Sequence, residues 1–262
     1  MFMKRTLIAI LVALFWTVVC SAQNSGALKF LGIPIDGSEA QFAAKLKAKG
    51  FTYNSVYESY KGQFNGNQVD VYIHTNHNLV DRVYVAFPAT SEESIRVEFN
   101  HLLAQFKDNG KYVDLSMNEE IPENEDISYE IRVNNKRYQA SFSYFDSSRD
   151  PIERVDALFD KFDEFFTKDQ LATLKEYGKK VVTAPEEEQA DLQAQLVSEM
   201  QALGFIDEHS QEETARFFLT LFDGMKSLAD GDVWFMIHEV YGRYQIGLYY
   251  DNLHNQAHGE DL

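Results

Sequence analysis

Two short stretches, QVDVYIH (residues 68–74) and VDRVYVAF (residues 80–87), decide how this chain folds. In each of them an apolar residue occupies every second position: Val69, Val71 and Ile73 in the first, Val83, Val85 and Phe87 in the second. A period of two is that of a strand with one buried face. On this phase Tyr72 and Tyr84 point to the other face. Asn76-His77-Asn78 turns the chain between the two stretches, and Pro88 stops the second. Upstream, Asn65-Gly66 suits a two-residue turn in which both positions need positive φ, so residues 57–64 join residues 68–74 as a hairpin. The expected nucleus is a three-strand antiparallel meander.

The residues on either side supply what covers it. Thr90-Ser91-Glu92-Glu93 reads as a capping box, and Ile95, Phe99, Leu102, Leu103 and Phe106 recur behind it at helical spacing as far as Asn109-Gly110. That apolar stripe needs an apolar surface, and the valine face of the meander provides one. Before the meander, Ser38-Glu39-Ala40-Gln41 opens a short helix with Phe42 and Leu46 one turn apart, closed by Gly50. After the long helix, the acidic residues 116–126 with Pro122 read as a loop. Tyr129, Ile131 and Val133, then Tyr138, Ala140, Phe142 and Tyr144, alternate about Asn134-Asn135 as a second hairpin.

From residue 151 to residue 229 the period changes to that of helices. Ile152, Val155, Leu158, Phe159, Phe162 and Phe166 mark one, and Thr167-Lys168-Asp169-Gln170 caps a second with Leu171, Leu174 and Val181. Pro185 starts a third, with Leu192, Leu196, Met200 and Leu203, and Ser210-Gln211-Glu212-Glu213 caps a fourth bearing Phe218, Leu221, Phe222, Met225 and Leu228. A last hairpin, residues 233–240 and 243–250, turns at Tyr241-Gly242. If Tyr244, Ile246 and Leu248 face inward, Tyr249 shares the face of Tyr72 and Tyr84. Arg137-Tyr138-Gln139 and Arg243-Tyr244-Gln245 also match each other, as two hairpins copied by duplication or converged on one core would.

The expected fold is therefore α+β: an antiparallel sheet of about seven strands, with helices on one face and a four-helix insertion. Residues 1–22 form a leader, 23–150 an α+β domain, 151–229 the insertion, and 230–262 the final hairpin that completes the sheet, with a tail. Four local patterns, Leu31-Gly32-Ile33-Pro34-Ile35-Asp36-Gly37, Lys45-Leu46-Lys47-Ala48-Lys49-Gly50-Phe51, Arg82-Val83-Tyr84-Val85-Ala86-Phe87-Pro88 and Tyr249-Tyr250-Asp251-Asn252, give the chain a resemblance to a group of uncharacterised exported proteins of Gram-negative bacteria. The resemblance covers residues 30–150 and the final hairpin, and implies this architecture and export, with no activity attached.

The leader reading rests on Lys4 and Arg5 before an apolar run over residues 7–19 that ends in Ser21 and Ala22, as in a secretory signal peptide. At about 13 residues the run is short against the ~30 Å hydrocarbon core of a bilayer, so no membrane span is expected in the mature chain. Cys20, the sole cysteine, lies inside it, and cleavage after Ala22 leaves no thiol to form a disulfide. Val19 is bulky where a lipoprotein signal has a small residue, which argues against lipid anchoring at Cys20. The protein is expected to be exported, periplasmic or extracellular.

Forty-one acidic residues against 24 basic ones give a formal charge of −17. A field of that sign repels nucleic acid and anionic membranes. Nucleophile and phosphate signatures are absent: there is no Gly-x-Ser-x-Gly elbow and no glycine-rich phosphate loop. His254 and His258, four apart with Glu260 and Asp261 beyond, have a metal-like spacing but sit in a polar tail with Gly259, and read as a solvated terminus. His74 and His77 bracket a turn with no third ligand nearby. Neither a metal, a cofactor nor a catalytic residue is assigned.

The remaining lead is aromatic. Tyr72, Tyr84 and Tyr249 are stiff and amphipathic, as recognition surfaces require, although burial under the insertion or plain cross-strand pairing would also account for them. The function expected is that of an exported cell-envelope binding or interaction protein without catalytic activity, its partner an envelope protein or a glycan. Two alternatives are an envelope hydrolase using paired carboxylates, such as those among Asp223, Asp230 and Asp232, and an inhibitor or assembly factor for another envelope protein.

Overall fold

The structure, a computed structural model, describes residues 26–202 and 211–256. The leader expected over residues 1–22, the Ser210 cap, and His258 with the acids after it lie outside the described residues. The described chain is α+β and divides into two compact units: residues 26–144 with 230–256, and residues 145–229. No helix among the described residues is long and apolar enough to cross a membrane.

The first unit is built on an eight-stranded, wholly antiparallel sheet. Its strands are β3 (Thr52–Asn54), β4 (Ser59–Phe64), β5 (Asn67–Asn76), β6 (Leu79–Ala86), β7 (Tyr112–Val113), β8 (Gln139–Tyr144), β9 (Gly231–Val240) and β10 (Arg243–Asn252), and their order in space is β3-β4-β5-β6-β10-β9-β8-β7. The final hairpin therefore supplies the centre of the sheet, with β10 wedged between β6 and β9. A separate two-stranded ribbon, β1 (Lys29–Phe30) and β2 (Ile33–Pro34), turns at Leu31 and Gly32, both at positive φ.

The valine phase predicts the buried face. Val69, Val71, Val83, Val85, Val233, Phe235, Ile237, Tyr244, Ile246 and Leu248 all belong to the core. Helix α2 (Glu92–Asp108) covers them with Ile95, Phe99, Leu102, Leu103 and Phe106, and α1 (Glu39–Ala48) adds Phe42 and Leu46. Ser91 caps α2 by accepting from the Ser94 amide, whereas Ser38 makes no side-chain cap for α1.

One expected strand is a helix. Tyr129, Ile131 and Val133 lie on α3 (Ile127–Val133), capped by Asp126, whose carboxylate accepts from the Tyr129 amide at 2.8 Å. Alternation over five residues does not exclude a two-turn helix, and Ile127, which is fully buried, sets the inward face, leaving Tyr129 and Val133 exposed. Strand β8 consequently pairs with β9 and β7, so the shared Arg-Tyr-Gln pattern does not mark two like hairpins.

The second unit holds α4 (Pro151–Phe159), a 3-10 turn (Asp160–Phe162), α5 (Lys168–Thr183), α6 (Glu186–Ala202) and α7 (Gln211–Ser227). Thr167 and Gln170 form a reciprocal capping box at α5. Phe162 and Phe217 meet at 4.8 Å between centroids in its core. Gly178 and Gly224 let helices approach closely: a Cβ on either would fall 2.8 Å from Val155 Cγ1 or 2.7 Å from Leu158 Cδ1.

Candidate functional site

Every second residue of β5, β6, β10 and β9 leaves the core face, and register brings four of these residues level. Tyr72 pairs with Tyr84, Tyr84 with Tyr249, and Tyr249 with Trp234. Their rings stack face to face across the strands, with centroids 5.5, 4.6 and 3.8 Å apart and interplanar angles of 24°, 21° and 7°. All four are half-buried. The three tyrosines singled out in the sequence thus sit on one face, next to one another, in a four-ring ladder. Trp234, the ring they were missing, follows from the same reasoning: Val233, Phe235 and Ile237 face the core, so the indole between them cannot.

The neighbouring rungs fix the ladder in place. On one side the paired residues are His74, Arg82, Asp251, Asp232 and Ser143. Asp251, 4% exposed, accepts from Arg82 Nε at 2.5 Å and Nη2 at 3.0 Å and from Trp234 Nε1 at 2.8 Å. The Arg82 guanidinium carbon lies 5.7 Å from the Tyr249 ring centre and 6.0 Å from that of Trp234, within cation-π range. Hydrogen bonding to Asp251 raises the Arg82 pKa further, so the cation is permanent.

On the other side the rung is Asp70, Ala86, Gly247, Met236 and Gln139. Gly247 is small for a reason: a Cβ there would lie 2.9 Å from both Tyr84 Cε2 and His238 Nε2. Tyr84 and His238 close over it, and the Tyr249 hydroxyl lies 3.4 Å from His238 Nε2. Burial lowers the His238 pKa and, with Tyr249 and Tyr72 alongside, pushes the Tyr84 phenol well above its ordinary value. Burial raises the Tyr249 phenol as well, so Tyr84 and Tyr249 present neutral hydroxyl edges while both faces of each ring are covered by neighbouring rings.

The exceptions are the outer faces of the two end rings, Tyr72 and Trp234. In register after Trp234 comes Ser141 on β8, and among the described residues no ring stacks on the side of the indole away from Tyr249. The Ser141 hydroxyl is 2.6 Å from that of Ser116, and the Asn118 side chain clasps the Ser141 backbone, accepting from its amide at 3.0 Å and donating to its carbonyl at 2.8 Å. Strand β7 ends at Val113, so Asn118 takes the place of a neighbouring strand there. A cleft of about 540 Å³ opens along this edge, lined by Ser116, Met117, Gln139 and Ser141 together with Glu125 and Tyr138. Lys136 and the Tyr138 hydroxyl both donate to Glu125 and hold its carboxyl below the usual range.

That direction is opposite to what a general acid needs. Of the acids considered from sequence, Asp230 accepts or shares a proton with His254 Nε2 at 2.9 Å, Asp232 accepts from Ser143 at 3.1 Å, and Asp223 belongs to the helical unit. His254 is accordingly no solvated terminus. It anchors a strap in which Asn252 donates to the Ile35 carbonyl at 2.7 Å and Asn255 to the Val80 carbonyl at 2.9 Å. His74 Nδ1 lies 2.7 Å from buried Asp81, a pair invisible in the sequence because a bulge after His74 shifts the register. Among the described residues no three His, Cys, Asp or Glu side chains cluster as metal ligands would. No protein-family model matches the chain, and neither a curated protein nor a solved structure matches it.

Proposed function

We propose that this chain is an exported binding protein of the cell envelope, and that the ladder of Tyr72, Tyr84, Tyr249 and Trp234 is its recognition surface. One observation carries the reading: four large aromatic side chains stand in register on the sheet face opposite α1 and α2. Aromatic side chains are costly to leave unpartnered in water and are concentrated where proteins recognise other molecules. These rings are also held rigid by stacking and by the Arg82–Asp251 pair, which reduces the entropy lost when a partner docks. Export rests on the basic and apolar pattern of residues 1–22.

Hydroxyl-radical footprinting with and without a solubilised envelope fraction tests this reading. Protection of Tyr72, Tyr84, Trp234 and Tyr249, with Tyr53 and Tyr57 unchanged, is the expected outcome. Unaltered labelling of the ladder, or protection confined to other surfaces, overturns it.

A further inference from the structure

We infer that the Trp234 end of the ladder, the indole face on the Ser141 side, is a subsite for a neutral pyranose ring of an oligosaccharide. This rests on the reading of the ladder as the recognition surface and names the chemistry that it takes. Strands in a sheet lie ~4.8 Å apart, and the ladder puts a ring on each of four successive strands. On the fifth, β8, the position holds a serine. A hydroxyl in place of a ring ends the stack at the indole.

Trp234 is prepared for such a contact. Its Nε1 donates to Asp251 and its other face rests on Tyr249, so the side chain has no freedom to lose on binding. The groups on that side of the indole are hydrogen-bonding ones. Ser141 and Ser116 share one hydrogen bond between two hydroxyls, which leaves one O–H to donate outward. Gln139, exposed, precedes Ser141 by two positions on the same face of β8, and Asp232, which accepts from Ser143, stands one rung to the other side.

A phenyl or aliphatic side chain placed here would strip water from these groups and return nothing. A pyranose ring offers a C–H face to the indole and equatorial hydroxyls to the serine, amide and carboxylate groups. The ring is neutral because Arg82, the cation over the Trp234 and Tyr249 rings, is matched by Asp251, and a chain of formal charge −17 repels acidic sugars. Ser141 and Gln139 also line the cleft of about 540 Å³, which gives further sugar units a path along the β8 edge.

The chain contains two tryptophans, Trp16 and Trp234. With Trp16→Phe, Trp234 emission reports on the subsite alone, and titration with cellotetraose and chitotetraose tests it. A saturable change with at least one of them is expected. Ser141→Tyr, which would add a fifth ring to the stack, should weaken that response at least tenfold, and Gln139→Ala, at an exposed position, at least threefold. Tyr72→Ala, at the far end of the ladder, should leave it within twofold. No change in emission with either sugar overturns the inference, as does a response undiminished in both the Ser141→Tyr and Gln139→Ala proteins, or a stronger response to a Phe-Ala-Phe tripeptide. Footprinting protection of the ladder without any response to sugars would remove the pyranose subsite and leave the recognition surface standing.

Discussion

Asp251→Asn is the substitution that most directly probes how the ladder is held. The carboxylate is 4% exposed and accepts three hydrogen bonds, two from the Arg82 guanidinium and one from the Trp234 indole. Asparagine keeps the shape and one acceptor, loses the charge, and leaves part of the guanidinium without its partner. A hydrogen bond to a charged group contributes about 1.5–3 kcal/mol, and unpairing a fully buried ion pair costs about 3–5 kcal/mol. The Arg82 side chain is 39% exposed, so water compensates part of that loss and the expected cost is nearer ~2 kcal/mol. Urea unfolding of the Trp16→Phe chain, followed by Trp234 emission, reads the sheet unit itself, which matters because a chain of two units need not unfold in one step. A loss below about 0.5 kcal/mol would refute the role given to Asp251. So would an equal loss in an Arg82→Met background, since the argument requires the two residues to be coupled.

Three further outcomes follow from the same geometry. Gly247→Ala drives a Cβ to 2.9 Å from the Tyr84 and His238 rings and should destabilise by about 1–3 kcal/mol, seen as a lower melting temperature. Asn118→Ala removes both bonds that clasp Ser141, so hydrogen exchange at the Ser141 amide should quicken, with a stability loss of about 1 kcal/mol because water can reach the edge. Burial raises the Tyr84 and Tyr250 phenols and pushes Tyr112 up to about 12, so absorbance at 295 nm should show a late class of tyrosines in the native protein. The unfolded chain ionises its phenols near pH 10 while the folded one does not, so stability should fall as pH rises above about 10, and a single titration step near that value in the native protein would contradict the burial described.

The period-two valines of β5 and β6 are readable because burial of one sheet face acts on every second residue, and from them the core face, the α2 stripe and the positions of Tyr72 and Tyr84 follow. The four helices of the second unit are readable from the same principle at a longer period. Strands of two or three residues are not: β1, β2, β3 and β7 are too short to show any period. Residues 127–133 defeat the reading for a different reason, since five alternating residues fit a strand, and only the Asp126 cap together with buried Ile127 marks a helix. Trp234 was within reach of the phase argument. Arg82 with Asp251, 169 residues apart, was not, because nothing local relates two side chains that meet only through the β6–β10 pairing.

The chain leaves the sheet for its helical unit at Tyr144 and returns at Gly231, and those two residues are cross-strand partners, with the Asp230 amide donating to the Tyr144 carbonyl at 2.9 Å. Topologically β8 and β9 are the arms of an ordinary hairpin whose turn has been replaced by a whole folded module. The entropy of closing such a connection grows only with the logarithm of its length, so the sheet is nearly indifferent to what is spliced in between. Replacing residues 145–229 by a short Gly-rich turn should leave the eight-stranded scaffold able to assemble. This junction is also a place where a lineage could gain, exchange or shed a module without altering the pairing of the two strands that flank it.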